Sequence, residues 1–349
     1  MPTETPTGPA LLNDPVLNRG TAFTLEERHE FGLDGLLPPA VETIDRQLER
    51  ILRHLDSKST DLERYIYLIG LADRNETLFF KTIMSDPKRF MPIVYDPTVG
   101  LACQTFGDIF RRARGVYLPR DRTSEFARML RNWRADDVRF ICVSTGGRIL
   151  GLGDLGLNGM AIPIGKLQLY TACAAVPPNV LLPVLLDIGT TNSKLRADPL
   201  YLGSRTTPPT DEELDEITDA FVAAANEVFP GVCIHFEDWK GTDAMRLLAR
   251  YRQRVRCFND DIQGTSAIVV AGLTTALQIK HERFSDQRFL LLGAGSAGIG
   301  DRHHARLRDD HGRSHREAGP FAHRAHGRQG APRVQPRRPQ RVAAALRPP

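Results

Sequence analysis

A chain of 349 residues has room for about two domains of ~150 residues each, and its formal charge of +4 is unevenly held: residues 301–349 carry +8 and residues 1–300 carry −4. Five cysteines, odd in number and never spaced Cys-x-x-Cys, exclude a disulfide framework and point to free thiols in a reducing compartment. The first residues show neither an apolar signal core nor an Arg-rich, acid-poor presequence, and no apolar run approaches the ~20 residues that span a bilayer, so the expectation is a soluble cytoplasmic protein with no membrane partner.

Residues 1–20 are Pro-rich and predicted to be mobile. Thr24 followed by Glu27 makes a capping-box pattern, and over residues 41–71 the apolar side chains of Ile44, Leu48, Ile51, Leu52, Leu55 and Leu62 recur at helical spacing. This predicts an N-terminal helical segment over residues 1–70. Over residues 71–261, short β-branched or apolar runs (93–95, 138–143, 181–188 and 232–236) alternate with helical stretches such as 211–228 and 242–251, which predicts an α/β domain with a largely parallel sheet. An apolar helix over 263–279 then leads into residues 288–293, read as a strand entering a glycine-rich turn and so as the start of a second α/β domain over 262–300.

Two pairs of adjacent carboxylates stand out. Glu237-Asp238 follow the strand-like run 232–236, and Asp260-Asp261 follow Cys257-Phe-Asn, with an amphipathic helix between them. Such pairs at the ends of apolar runs are costly to bury unless a cation or proton compensates them. Carboxylate oxygens suit magnesium or manganese better than zinc; the alternative is two solvated acidic turns. Gly293, Gly295 and Gly298 make Gly-x-Gly-x-x-Gly after a predicted strand, where backbone amides and a helix terminus can receive a pyrophosphate. Gly151, Gly153 and Gly156 repeat the spacing, but Pro163 and the scattered glycines predict no following helix, and this second match is read as a decoy.

The last 49 residues, 301–349, contain twelve Arg, six His, six Pro, four acids, no Lys and one aromatic, Phe321. Without periodic apolar positions this tail is predicted to be disordered. It reads either as a nucleic-acid arm or, with Arg so abundant and Lys absent, as coding sequence read out of frame, and the second reading is preferred. Its histidines are not spaced as a metal site.

Several segments, in order, resemble the large-form malic enzymes. They are Gly35-Leu-Leu-Pro-Pro, Asn75-Glu-Thr-Leu-Phe-Phe, Met91-Pro-Ile-Val-Tyr-Asp-Pro-Thr-Val-Gly-Leu-Ala-Cys103, Arg148-Ile-Leu-Gly-Leu-Gly-Asp-Leu-Gly156, Ile162-Pro-Ile-Gly-Lys-Leu-Gln-Leu-Tyr-Thr-Ala-Cys173, Leu186-Asp-Ile-Gly-Thr190, Asp198-Pro-Leu-Tyr-Leu-Gly203, the two acidic motifs, and Leu291-Leu-Gly-Ala-Gly-Ser-Ala-Gly-Ile-Gly300. The resemblance spans roughly residues 18–300 and rests on no single motif. It implies an α/β malic-enzyme catalytic domain followed by the start of a Rossmann-like cofactor domain that is not completed, and a homo-oligomer.

By the same resemblance the activity is oxidative decarboxylation of (S)-malate to pyruvate and CO2 with NAD or NADP and Mg2+ or Mn2+. The metal would be held by Glu237, Asp238 and Asp261, with Asp260 beside them as a catalytic residue. Lys166 would be the general base, its pKa brought from ~10.4 toward ~7–8 by burial and a nearby cation. Tyr95 would be the general acid, Arg148 would hold a substrate carboxylate and contact the cofactor, and Gly293, Ala294, Gly295, Ser296, Ala297 and Gly298 would cradle the cofactor phosphates. The sequence departs from the family at Asp96, where many relatives carry Thr, at Ser144-Thr-Gly-Gly-Arg, and at Thr191. The family's cofactor-domain asparagines that reach malate find no counterpart. Two readings follow: a malic enzyme by descent, and, for this chain, a catalytically dead fragment or one that joins full-length subunits. Metal-assisted decarboxylation of oxaloacetate is a third, needing no hydride acceptor.

Overall fold

Strand β3 (Leu181–Asp187) has all seven residues buried, as expected of a strand covered on both faces. In the computed structural model, which describes residues 5–292, 295–298 and 300, it pairs with β1 (Val116–Pro119) and β2 (Phe140–Ser144); β2 in turn pairs with β4 (Cys233–Phe236), and β4 with β5 (Cys257–Asn259). Every pairing is parallel and the order is β1-β3-β2-β4-β5. The sheet was expected; β2, β3 and β4 fall in the apolar runs that predict them. The two edge strands, of four and three residues, are too short for a period of two to be read. Residues 93–95, grouped with the strand-like runs, instead close the helix Pro87–Val94.

The two faces of the sheet do different work. Ile234 and Phe236 of β4 point into the main core with Phe221 of the helix Asp211–Val228 and Leu247 of the helix Gly241–Tyr251. On the opposite face, register pairs set Cys142, His235 and Phe258 side by side across β2, β4 and β5. The helix Ala161–Ala174 covers that face, packing Leu167 and Tyr170 around Cys142. This helix corrects the sequence reading: a helix does follow Gly151, Gly153 and Gly156, because Pro163 lies in its first turn, where a missing N–H costs nothing. A short 3-10 turn, Gly156–Met160, separates it from the glycines.

The predicted capping box of Thr24 and Glu27 is formed, and the helices Ile44–Asp56 and Asp61–Ala72 account for the periodic segment. With the helices Glu76–Ser85 and Pro87–Val94 they share a core that includes Leu55, Leu68, Phe79, Phe90 and Ala102. Within the stretch predicted to be mobile, the described residues are packed on the rest of the chain. Gly8–Asn13 is helical, and its Leu11, 2% exposed, packs with Phe23 and Leu33. Pro9 does not prevent this, since it sits in the first turn.

At the other end, the predicted apolar helix runs from Thr265 to Lys280 with Ile268 76% and Ile279 75% exposed. Residues 288–292, expected to be a strand, form none: a strand needs a neighbour for its amides, and none of the described residues pairs with this run. Leu290 and Leu292 are exposed. The helical stretch Asp260–Lys280, 21 residues containing an 18-residue window with a mean hydropathy of 1.3, is also long and apolar enough to cross a bilayer by length and composition, contrary to the reading that no run approaches that length.

Candidate active site

In a parallel sheet all strands end on one side, and loops converge there. Glu237 and Asp238 follow the last residue of β4, Asp260 and Asp261 follow β5, and residues 145–148 follow β2. Both acid pairs therefore meet at the carboxyl edge, and the helix Ala161–Ala174 lays Lys166 across them.

Lys166 Nζ lies 3.0 Å from Glu237 Oε1 and 2.9 Å from Asp260 Oδ2. The Tyr95 hydroxyl donates to Glu237 Oε1 at 3.1 Å, and Lys166 Nζ stands 5.0 Å from the centre of the Tyr95 ring. Tyr95 reaches this point because Gly165, one residue before Lys166, has no side chain; a Cβ there would press on the Tyr95 ring and the Val94 carbonyl. Asp238 adopts a left-handed backbone with φ +53°, a conformation that strains any residue but glycine and recurs at functional sites. It is pinned from both sides: its N–H donates to Asp261 Oδ2 at 3.0 Å, and its carbonyl accepts the Arg148 N–H at 3.2 Å. Asp260 and Asp261 open a single wide turn, Asp260–Gly264, before the apolar helix, and such π-type turns are frequent at functional sites. Gly264 leaves room for this arrangement, because a Cβ there would displace the Asp260 carboxylate from its place.

Electrostatics divides the four acids. Burial opposes ionisation of Glu237, but hydrogen bonds and charges from His235 and Lys166 outweigh it and hold the carboxyl below its ordinary value. Burial raises Asp238 well above the carboxylate range, with the charges of Glu237 and Asp261 adding to it. Burial, then Glu237, pushes Asp261 up to about 7. Burial and the Glu237 charge also raise Tyr95, which keeps its hydroxyl protonated at neutral pH. For Lys166 the depression expected from burial and a nearby cation does not arise from the protein groups alone. Burial alone would lower it, but Glu237, Tyr95 and Asp260 together raise it above the ordinary lysine value, so Lys166 is an ammonium in this arrangement.

A divalent cation is tested by the donor set itself. Asp238 is 6% exposed and its Oδ2 has no hydrogen-bond partner among the described residues. An unpartnered, buried carboxylate oxygen beside two further carboxylates is costly unless a positive charge meets it; the residues fit an oxygen-preferring cation. The closest grouping is not the one expected from the sequence. Among the described residues, the ligand atoms mutually within 4.8 Å belong to His235, Glu237 and Asp260; Glu237, Asp238 and Asp261 form no such group. Lys166, bound to both Glu237 and Asp260, draws those two together.

The other predicted residues are placed less favourably. Arg148 is joined to the cluster through its backbone, but its side chain is exposed and makes no hydrogen bond or ion pair among the described residues. Gly293 and Ala294 lie outside the described residues. Gly295 is exposed, and Ser296, Ala297 and Gly298 are half-buried, with Ser296 beside Gly241. Thr191, a departure in the sequence, donates its amide and hydroxyl to Asp154 Oδ2 at 2.6 and 2.7 Å. Sequence reasoning missed His235 and Tyr170, although the signals were there: His235 and Glu237 share a strand face by alternation, and Tyr170 lies one helical turn after Lys166.

A family model described as "Malic enzyme, N-terminal domain" matches residues 72–252, and one described as "Malic enzyme, NAD binding domain" matches residues 262–319, past the point near Gly300 where the motifs stop. The chain is 49% identical over 297 residues to an NAD-dependent malic enzyme of Psychromonas ingrahamii, covering 85% of this chain and 53% of that protein. It is 49% identical over 291 residues to a mitochondrial NADP-dependent malic enzyme of Mus musculus, covering 83% and 48%. A solved malic enzyme of Entamoeba histolytica superposes at a TM-score of 0.39 with 17% identity, over 79% of this chain and 48% of that one, too loosely to bear on the site. The chain spans about half the length of the curated relatives it matches. On the strength of the domain match, it belongs to the malic enzyme family.

Proposed function

We propose that this chain carries the acid–base and cation-holding half of a malic enzyme, whose reaction is oxidative decarboxylation of (S)-malate to pyruvate and CO2 with reduction of NAD or NADP. The observation that carries this reading is the assembly of partly buried Lys166, Tyr95, Asp260 and Asp261 around the buried Glu237 and Asp238, with one oxygen of Asp238 left unpartnered. Glu237, Asp238 and Asp261, with Asp260 beside them, would hold Mg2+ or Mn2+. When bound, such a cation supplies a positive charge for the hydroxyl or keto oxygen of the substrate.

The chain's own residues account for the proton movements. Lys166, once relieved of its proton, accepts the proton of the malate hydroxyl; as an ammonium it shares Glu237 Oε1 with the Tyr95 hydroxyl, at 3.0 and 3.1 Å, and through that shared oxygen it is placed to reprotonate Tyr95. Tyr95, whose hydroxyl stays protonated at neutral pH, donates to the carbon left by decarboxylation. Arg148, at the rim, holds a substrate carboxylate through its planar fork. The half-site for the nicotinamide cofactor is supported by the domain match; among the described residues no strand precedes Gly295–Gly298 to fix their amides for a pyrophosphate.

The domain division at residues 70, 261 and 300 remains part of this reading, as do assembly with further subunits and a cytoplasmic location, which five free cysteines support. The apolar helix after Asp260 is read as a domain-packing face and not a membrane span, since the Asp260 carboxylate at its start is fixed on Lys166. The basic tail, outside the described residues, is not assigned to nucleic acid.

One observation favours a second activity: the contacts that join Lys166, Tyr95, Glu237 and Asp260 all lie within residues 95–260, ahead of the residues matched to the NAD binding domain. The purified chain with Mn2+ is therefore expected to decarboxylate oxaloacetate while showing no malate-dependent reduction of NAD or NADP. Malate-dependent cofactor reduction would overturn the half-site reading, and failure of decarboxylation would remove the second activity.

A further inference from the structure

His235 is 0% exposed and spends both ring nitrogens on protein partners. Nε2 lies 2.5 Å from Glu237 Oε2, and Nδ1 lies 2.9 Å from the Tyr170 hydroxyl. A carboxylate only accepts, so Nε2 carries a proton and donates to Glu237, while Nδ1 and the Tyr170 hydroxyl, each able to donate or accept, hold the far side of the ring.

The consequence lies in the two oxygens of Glu237. The terminal torsion of a glutamate is soft, and an unheld carboxylate turns with little cost. Here Oε2 is committed to His235 behind the strand, and Oε1 alone faces Lys166 and Tyr95. The imidazole cannot swing to follow, because it is stacked on Phe258 with centroids 4.5 Å apart and meets the edge of Phe140 at 6.1 Å. Tyr170 comes from the same helix as Lys166, so one element supplies both the group in front of Glu237 and the outer support behind it.

We propose that His235 and Tyr170 act as positioning residues, a hydrogen-bonded brace that fixes which oxygen of Glu237 is presented to a divalent cation and so sets the affinity of the site. The inference rests on the cation reading given above. Outer partners of metal-holding carboxylates typically change affinity by about 10- to 100-fold when removed.

The test is Mn2+ binding by the purified full chain, followed through the electron paramagnetic resonance signal of free Mn2+, a readout that needs no turnover. His235→Leu, which removes both bonds, is expected to weaken binding at least about tenfold. His235→Gln, which keeps an N–H for Glu237 and a carbonyl for Tyr170, is expected to stay within about threefold of the unchanged chain, and Tyr170→Phe to fall between. Equal losses in His235→Leu and His235→Gln would reduce the ring to packing and overturn the brace. So would unchanged binding in a folded His235→Leu chain; if that variant does not fold, Tyr170→Phe decides, and unchanged affinity there overturns the brace as well. If the unchanged chain binds no Mn2+, the cation reading itself fails and takes this inference with it; if it binds and only the variants fail to differ, the brace alone is lost.

Discussion

Lys166→Ala is expected to destabilise the chain by about 3–5 kcal/mol, the cost of stripping a partner from buried charge. The ammonium lies between Glu237 and Asp260, with 15% of the lysine side chain and 4% of the glutamate side chain exposed. Removing it leaves a buried carboxylate with His235 and Tyr95 as its remaining partners and without the ammonium that faces Oε1. The pH dependence follows from Glu237, whose folded-state pKa is depressed with Lys166 among the causes. A depressed carboxyl contributes stability above its unfolded pKa and loses it as pH falls through the folded value. The deficit of Lys166→Ala should therefore be full at neutral pH and shrink in acid. Urea unfolding at several pH values measures it. A deficit under about 1 kcal/mol at pH 7, or one that grows on acidification, would show that the lysine is not what compensates these carboxylates.

Asp238→Asn should separate stability from binding. The side chain is buried, its Oδ2 lacks a partner, and the charges of Glu237 and Asp261 press against it. Replacing the carboxyl by an amide removes the like-charge crowding and is expected to raise the melting temperature of the metal-free chain by a few degrees, about 1 kcal/mol in a domain of this size. The rise that Mn2+ produces in the unchanged chain should vanish in the variant. A residue that costs stability alone and repays it only with a cation present is the signature of a binding site. If Asp238→Asn lowers the metal-free melting temperature and keeps the Mn2+ response, Asp238 is a structural acid and the site lies elsewhere.

How much of this was legible in the sequence depends on the range of the forces involved. The strands β2, β3 and β4 are fully or largely buried runs, and the helix Asp211–Val228 carries a capping box formed by Thr210 and Glu213; patterns of that kind are written locally. The position of Glu237 at a strand end was equally readable, since chain alternation and the following acid pair mark it. What could not be read is the company Glu237 keeps. Lys166 was expected to be brought toward neutrality by burial and a nearby cation; burial does act that way, but without a cation three groups from distant parts of the chain hold the proton on. The same applies to the terminal strand at residues 288–292. Its apolar pattern is sound, yet a strand is a property of two segments, and among the described residues this one has no partner. Gly264 belongs to a third class: nothing in Asp-Ile-Gln-Gly announces that the Asp260 side chain folds back over the glycine.

The central claim, that the carboxyl edge of this sheet is a divalent-cation site, is tested most directly by anomalous diffraction from crystals of the full chain soaked in Mn2+. The account predicts one strong peak in contact with Asp238 and shared with Glu237 and Asp261, absent from crystals of Asp238→Asn. A peak only among other residues, or none at saturating Mn2+, would contradict it.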